Sequence, residues 1–240
     1  MTHETMKKND CYDRYDSFLA SAMHTLKNTI APINTYVEMI QSGKVDQEQM
    51  MDIAEKINIC SENATKFCTE LMNIFRVRSE VIDIYTEKVN PFALLREYIY
   101  MIEGNLKQKQ IEVANLIDPE IHLLSSKEMM VSVFMNLLTN AIKFSYPNST
   151  VTFSGRIVED DMYELSVSDE GVGIDEEEIN LKLSDGTRNT TLGTAGETGT
   201  GLGLVLVKNI VYKNGGFIQA FNNKDKGATF VLTLPLYKEK

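Results

Sequence analysis

Asn136, Asn140 and Lys143 follow one another at steps of four and three residues within residues 135–144, MNLLTNAIKF. On a helix this spacing brings the three polar groups to one side, with Leu137, Leu138, Ala141 and Ile142 on the other. Amide oxygens are ligands for a hard cation such as Mg²⁺, and an ammonium is a point charge for phosphate. The set therefore suits a metal-bound phosphate chain. A helix whose amides merely face water has the same pattern, and a motif this short does not separate the two readings.

Two later segments bear on that choice. Residues 166–174, SVSDEGVGI, read as an apolar strand that ends in Asp169, with Gly171 and Gly173 just beyond. A carboxylate at a strand end can accept a hydrogen bond from a ligand amine, and glycine lets the backbone approach that ligand closely. Residues 196–204, GETGTGLGL, place Gly199, Thr200, Gly201, Leu202 and Gly203 directly before the apolar run 204–211. Glycine-rich backbone opening a helix cradles phosphate, because free N–H groups and the helix dipole point at the anion. A lone glycine cluster would read as a flexible loop; three such elements in one order make a coherent site.

These motifs give residues 94–236 a resemblance to the ATP-binding domain of sensor histidine kinases, which is related to the gyrase and heat-shock chaperone ATPases. Asn136, Asn140 and Lys143 match the N box of that family; Asp169, Gly171 and Gly173 match its first glycine box, and Gly199, Gly201 and Gly203 its second. The resemblance implies an α+β chain whose ATPase domain is a two-layer α/β sandwich of the Bergerat type, with ATP and Mg²⁺ beneath a mobile lid. It implies that Asp169 receives the adenine amino group, that Asn140 ligates Mg²⁺ with help from Asn136, and that Lys143 balances phosphate charge. The backbone of Gly199, Thr200, Gly201, Leu202 and Gly203 would close on the phosphates. Thr229 would add a hydroxyl to the adenine network or be a plain strand residue. The hydrolytic relatives carry Glu where Asn136 stands, and an amide cannot be a general base. That points to transfer onto a protein acceptor.

A phosphoryl acceptor requires a positioned nucleophile. Leu19, Met23, Leu26, Ile30, Ile33, Val37 and Ile40 recur at steps of four and three, and Ile53, Ile57, Cys60, Ala64, Phe67, Leu71 and Ile74 do the same. Two heptad seams separated by the helix-ending Gly43 predict an antiparallel helical hairpin. One hairpin has too little partner surface to bury both seams, so a homodimeric four-helix bundle is expected, with packing onto the second domain as the alternative. His24 stands beside the seam position Met23. The segment resembles the H box of the family, with Leu26, Lys27 and Asn28 in place, so His24, Lys27 and Asn28 form the implied catalytic set. The resemblance implies a protein-histidine kinase that autophosphorylates His24 from Mg-ATP and passes the phosphoryl group to an aspartate of a response regulator receiver domain. Asn28 matches a position that serves regulator dephosphorylation. Two positions depart from the family pattern: Thr25 replaces the acidic residue after the histidine, and the expected proline comes three residues late, at Pro32. They keep alive a degenerate nucleotide-binding module that acts by conformation or as a regulator phosphatase.

The 240 residues carry a formal charge of −10, which argues against non-specific binding to nucleic acid or to anionic membrane. Cys11, Cys60 and Cys68 show no CxxC spacing and fit reduced thiols. No apolar run approaches the roughly 18 residues of a membrane span, so a cytoplasmic chain is expected, either free or tethered to the inner membrane in a longer parent. The expected domains are a linker at 1–16, the dimerisation and phosphotransfer hairpin at 17–85 and the ATP-binding domain at 86–240. Within the last, the pattern predicts a helix over 92–106, short strands over 111–116 and 121–124, and the N-box helix capped by Ser125 or Ser126. It also predicts strand pairs 151–158 with 163–169 and 217–222 with 229–236. The Gly, Thr and Ser content of 181–200 predicts the lid, with Leu183 standing in for a phenylalanine pair typical of the family.

Overall fold

The computed structural model describes residues 3–78, 86–158, 161–185, 193–194 and 200–239, and only the backbone of 3–17, 180–182 and 184–185. The chain forms two compact units, Met1–Asn73 and Ile74–Lys240.

The first unit consists of two helices. Helix α1 spans His3–Gln41 and α2 begins at Gln47 and runs to Arg78. The stretch expected to be a loose linker is helical from His3. It contains no Gly or Pro, and each added residue extends an existing helix by one hydrogen bond. The helix continues through Pro32 to Gln41. Gly43 then adopts φ +65°, the left-handed conformation that ends helices. A reciprocal capping box opens α2: Gln49 N donates to Asp46 Oδ1 at 2.8 Å, and Asp46 N donates to Gln49 Oε1 at 3.0 Å. Within the single chain Ala22, Ile53 and Phe67 are buried, while Met23, Ile30 and Val37 of the α1 seam are 56, 42 and 38% exposed.

In the second unit, β1 (Glu87–Val89) pairs with β3 (Leu123–Ser125) in a two-stranded ribbon. The main sheet has the order β2-β4-β5-β7-β6, from Glu112–Asn115, Thr150–Val158, Met162–Ser168, Ala228–Pro235 and Phe217–Asn222 respectively. Only β2 and β4 run parallel; every other pairing is antiparallel. The helices are α3 (Pro91–Met101), α4 (Glu103–Lys109), α5 (Lys127–Phe144), α6 (Glu176–Asp185) and α7 (Gly203–Lys213). Alternation along the strands sends Phe153, Leu165, Val167, Phe230 and Leu232 toward the core, all buried. Phe134 of α5 meets Phe153 edge to face at 5.8 Å, joining the helical layer to the sheet.

Both predicted strand pairs form. The single helix expected over 92–106 is instead two, because Ile102 leaves helical geometry at φ −105°, ψ 14°. Ser126 occupies the N-cap of α5, but its side chain caps no backbone group, and its hydroxyl faces Glu128 Oε2 at 3.4 Å. The boundary expected near Tyr85 lies outside the described residues, and the compact units divide earlier, within α2. Of the segment expected as the lid, 181–185 belong to α6, where Leu183 is buried, while 186–192 and 195–199 lie outside the described residues.

Candidate nucleotide site and acceptor histidine

Helix α5 buries Met130, Val133, Phe134, Leu137, Leu138 and Ala141. That apolar stripe leaves Ser132, Asn136, Asn140 and Lys143 along another face. Asn136 Nδ2 donates to the Ser132 carbonyl at 2.7 Å. This turns its Oδ1 toward Gly203, where an added Cβ would overlap that oxygen. The first turn of α7 therefore approaches the polar face of α5, and only glycine fits between them. Asn140 is half-buried, and its side chain makes no hydrogen bond among the described residues. Lys143 is buried, with Nζ 4.6 Å from the centroid of the Phe144 ring. Its carbonyl accepts from Lys109 Nζ at 2.9 Å and from Thr194 N at 3.1 Å.

Asp169 lies immediately beyond β5 and is 6% exposed. Its Oδ1 accepts from Gly171 N at 2.9 Å and from Ala228 N at 3.2 Å, and Oδ2 has no partner among the described residues. Burial pushes the Asp169 carboxyl above the usual carboxylate range, and the two backbone N–H groups pull the other way. A held carboxylate with one open oxygen is an acceptor for a ligand amine. Gly171 packs against the end of α5, where a Cβ would overlap the Phe144 carbonyl. Gly173 has φ +78° and lies against Asn222 Oδ1.

The third element of the candidate site is the start of α7. Gly201 adopts φ +71°, and Thr200 Oγ1 accepts from Leu202 N at 3.2 Å. Leu202 is the N-cap and offers no side-chain acceptor, so the first-turn N–H groups keep their capacity for an anion. Gly199 lies outside the described residues. The open Asn140 amide, the open Asp169 oxygen and the uncapped α7 terminus fit a magnesium–nucleotide ligand. Two amides alone are too few ligands for Mg²⁺, and phosphate oxygens and water would complete its coordination.

Thr229 lies within β7. It pairs in register with Ser168, and its hydroxyl donates to Asn223 Oδ1 at 2.6 Å with Ser168 Oγ at 3.0 Å. Neighbours on extended chain point to opposite faces, so Thr229 bonds on the Ser168 side rather than beside the Asp169 carboxyl. The sequence reading missed Gly227, Asn222, Lys109 and Thr194. Gly227 has φ +79°, and a Cβ there would overlap the Asp169 carbonyl. Asn222 braces the glycine loop, its Oδ1 accepting from Ile174 N at 2.8 Å and its Nδ2 donating to Ile174 O at 2.9 Å. The positions of Gly227 and Asn222 at the two ends of a predicted strand turn were the available clue.

In the first unit His24, Lys27 and Asn28 are exposed on α1. Asn28 Nδ2 lies 3.3 Å from His24 Nδ1. Thr25, the residue in the family's acidic position, donates its hydroxyl to the Ser21 carbonyl at 3.0 Å.

A five-stranded sheet with one parallel and three antiparallel pairings, a helix polar at one-turn spacing, a buried carboxylate followed by glycines, and an uncapped glycine-led helix fit a nucleotide-binding domain. Residues 126–238 match the family model described as "Histidine kinase-, DNA gyrase B-, and HSP90-like ATPase". The chain is 27% identical over 228 residues to the sensor histidine kinase WalK of Bacillus subtilis, covering 93% of this chain and 37% of that protein. It is 27% identical to the sensor-like histidine kinase SenX3 of Mycobacterium bovis, covering 91% and 53%. Among solved structures, the histidine kinase AdeS of Acinetobacter baumannii superposes with a TM-score of 0.70 at 20% identity, over 90% of this chain and 98% of that one. Histidine kinase ThkA, solved in complex with response regulator protein TrrA, gives 0.73 at 21% identity, over 98% and 68%. Over more than 90% of its length the chain is similar to these sensor histidine kinases, and residues 126–238 carry the match to the ATPase family model. It spans 37% and 53% of the lengths of these two curated relatives.

Proposed function

We propose that the chain autophosphorylates His24 from Mg-ATP and passes the phosphoryl group to an aspartate of a response regulator. The observation that carries this reading is the approach of the uncapped α7 start to the α5 polar face at Gly203, with Asp169 held through Gly171 at the end of the same helix. Asp169 accepts the adenine amino group, and its backbone donors fix the orientation of the carboxylate. Asn140 and Asn136 present amide oxygens, Lys143 presents an ammonium, and Thr200, Gly201, Leu202 and Gly203 present backbone N–H groups. Asn140 and Asn136 would hold Mg²⁺, which would supply charge neutralisation to the phosphate chain. His24 supplies a ring nitrogen as nucleophile, and Lys27 adds positive charge beside it. Thr229 has no place in this scheme. The half-exposed seam residues Met23, Ile30 and Val37 support a homodimer through the hairpin. Among the described residues no helix is long and apolar enough to cross a membrane; a cytoplasmic core, free or tethered in a longer parent, is the setting this reading takes.

A second reading rests on Thr25. With its hydroxyl donated to the helix backbone, no acidic side chain bonds the imidazole among the described residues, which favours a degenerate module. Incubation with γ-labelled ATP and Mg²⁺, comparing wild type with His24→Gln, separates the two. Acid-labile label that disappears in the variant is the expected result; ATP binding without any label favours the degenerate module.

A further inference from the structure

The one hydrogen bond to the His24 ring among the described residues comes from Asn28, one turn along α1. Thr25 is turned away, its hydroxyl donating to Ser21 O. A neutral imidazole has one N–H and one lone pair. Asn28 faces Nδ1, so Nε2 is the nitrogen left for phosphorus. When Asn28 Nδ2 donates, Nδ1 accepts and the proton resides on Nε2, the form that cannot attack. When the amide turns over, Oδ1 accepts the Nδ1 proton and the Nε2 lone pair is free. An amide offers both faces at nearly equal size.

We propose that Asn28 is a positioning residue that sets the tautomer of His24, holding the ring inert in one amide orientation and ready in the other. This inference rests on the kinase reading for its consequence. In the ready form a bond forms between His24 Nε2 and the γ-phosphorus while the bond from that phosphorus to the β–γ bridging oxygen breaks, and ADP leaves with the electron pair. The proton stays on Nδ1, hydrogen-bonded to the amide oxygen, during transfer and passes to water from the resulting phosphoimidazolium, because an amide oxygen is too weak a base to take it. The developing positive charge faces the Asn28 dipole, with no carboxylate at Thr25 beside it. Asn28→Asp replaces the two-way amide with a group that only accepts, and so holds the ready form continuously.

The test combines two readouts on the full chain at alkaline pH: ¹⁵N–¹H spectra of labelled histidine, which distinguish Nδ1–H from Nε2–H, and the rate of label incorporation at saturating ATP. Wild type is expected to show a substantial Nε2–H fraction and Asn28→Asp predominantly Nδ1–H. The rate of Asn28→Asp rises about tenfold with KM for ATP unchanged, and Asn28→Leu falls about tenfold, the scale of one hydrogen bond to a charged group. Adding Thr25→Glu to Asn28→Leu restores the rate, which a purely structural role for Asn28 would not allow. An unchanged tautomer in Asn28→Asp, or equal rates in all variants of an active kinase, overturns the inference. Absence of label in wild type sinks the kinase reading instead, and the spectra alone then decide whether Asn28 governs the ring.

Discussion

The two units hold their functional residues by different means. Around Asp169 the backbone does the holding: Gly171 N and Ala228 N bind the carboxyl, and Gly171 and Gly227 each leave no room for a Cβ. Around His24 one exposed amide at 3.3 Å does it. Residue identity in the first case is dictated by collisions, and in the second by a hydrogen bond that other side chains could replace. This explains how an acidic position can become Thr25 without disturbing the helix. The glycine boxes have no such latitude.

Two glycines put that contrast in numbers. Gly43 in the hairpin turn has φ +65° with nothing within 4 Å of a built Cβ, whereas Gly227 has φ +79° with the Asp169 carbonyl in the way. Gly43→Ala is expected to lose only the left-handed penalty, about 1 kcal/mol. Gly227→Ala adds overpacking against backbone and is expected to lose about 3 kcal/mol, with weaker ATP binding. Urea unfolding of both variants checks this, and equal losses would break the comparison.

The sequence showed the side-chain half of this site and little of the backbone half. Asn136, Asn140 and Lys143 were legible because helical spacing alone brings them to one face, and Asp169 because it ends an apolar strand. Gly227 and Asn222 were not, since their contacts depend on the register of β7 against β5 and of the β6 end against the glycine loop. Thr229 shows the same dependence: a one-residue difference in register decides which face it joins, and the pairing puts its hydroxyl on the Ser168 side. The break at Ile102 and the helical start at His3 lie in stretches without Gly or Pro to mark them, apart from Gly104 just past the break. In the hairpin the seams were legible, but the partner that would cover them is not contained in one chain.

Asp169→Asn tests whether backbone holding serves binding rather than stability. The carboxyl is raised by burial, so the stability it contributes is complete below its unfolded-state pKa and is lost as pH rises through the folded-state value. Above that folded-state value the charged group therefore weakens the domain. Asparagine keeps an oxygen for Gly171 N and Ala228 N without the charge, and the variant should melt no lower than wild type at pH 7. Any advantage should shrink toward about pH 3, where both forms are neutral. Nucleotide binding should nevertheless fall roughly 100-fold, because an amide N–H would face the adenine amino group with two donors and no acceptor. Scanning calorimetry across pH and titration with a non-hydrolysable ATP analogue read the two effects separately. A destabilised variant that binds normally would reverse the assignment.

The smallest expected change in the isolated fold is in the hairpin. Ile30 is 42% exposed in the single chain, and an exposed helix position usually accepts substitution within about 0.5 kcal/mol. Ile30→Lys should therefore leave helicity and nucleotide affinity unchanged at low protein concentration. If a second copy covers the seam, the buried ammonium opposes association, and sedimentation should show dimers giving way to monomers. Label incorporation should then become concentration-dependent if each protomer phosphorylates its partner, and stay constant if transfer is internal. A dimer that survives Ile30→Lys unchanged would mean that the exposed α1 seam is ordinary surface. The hairpin would then differ from the ATPase unit in its partner surface as well as in how it holds its functional residue, because nothing would cover that face.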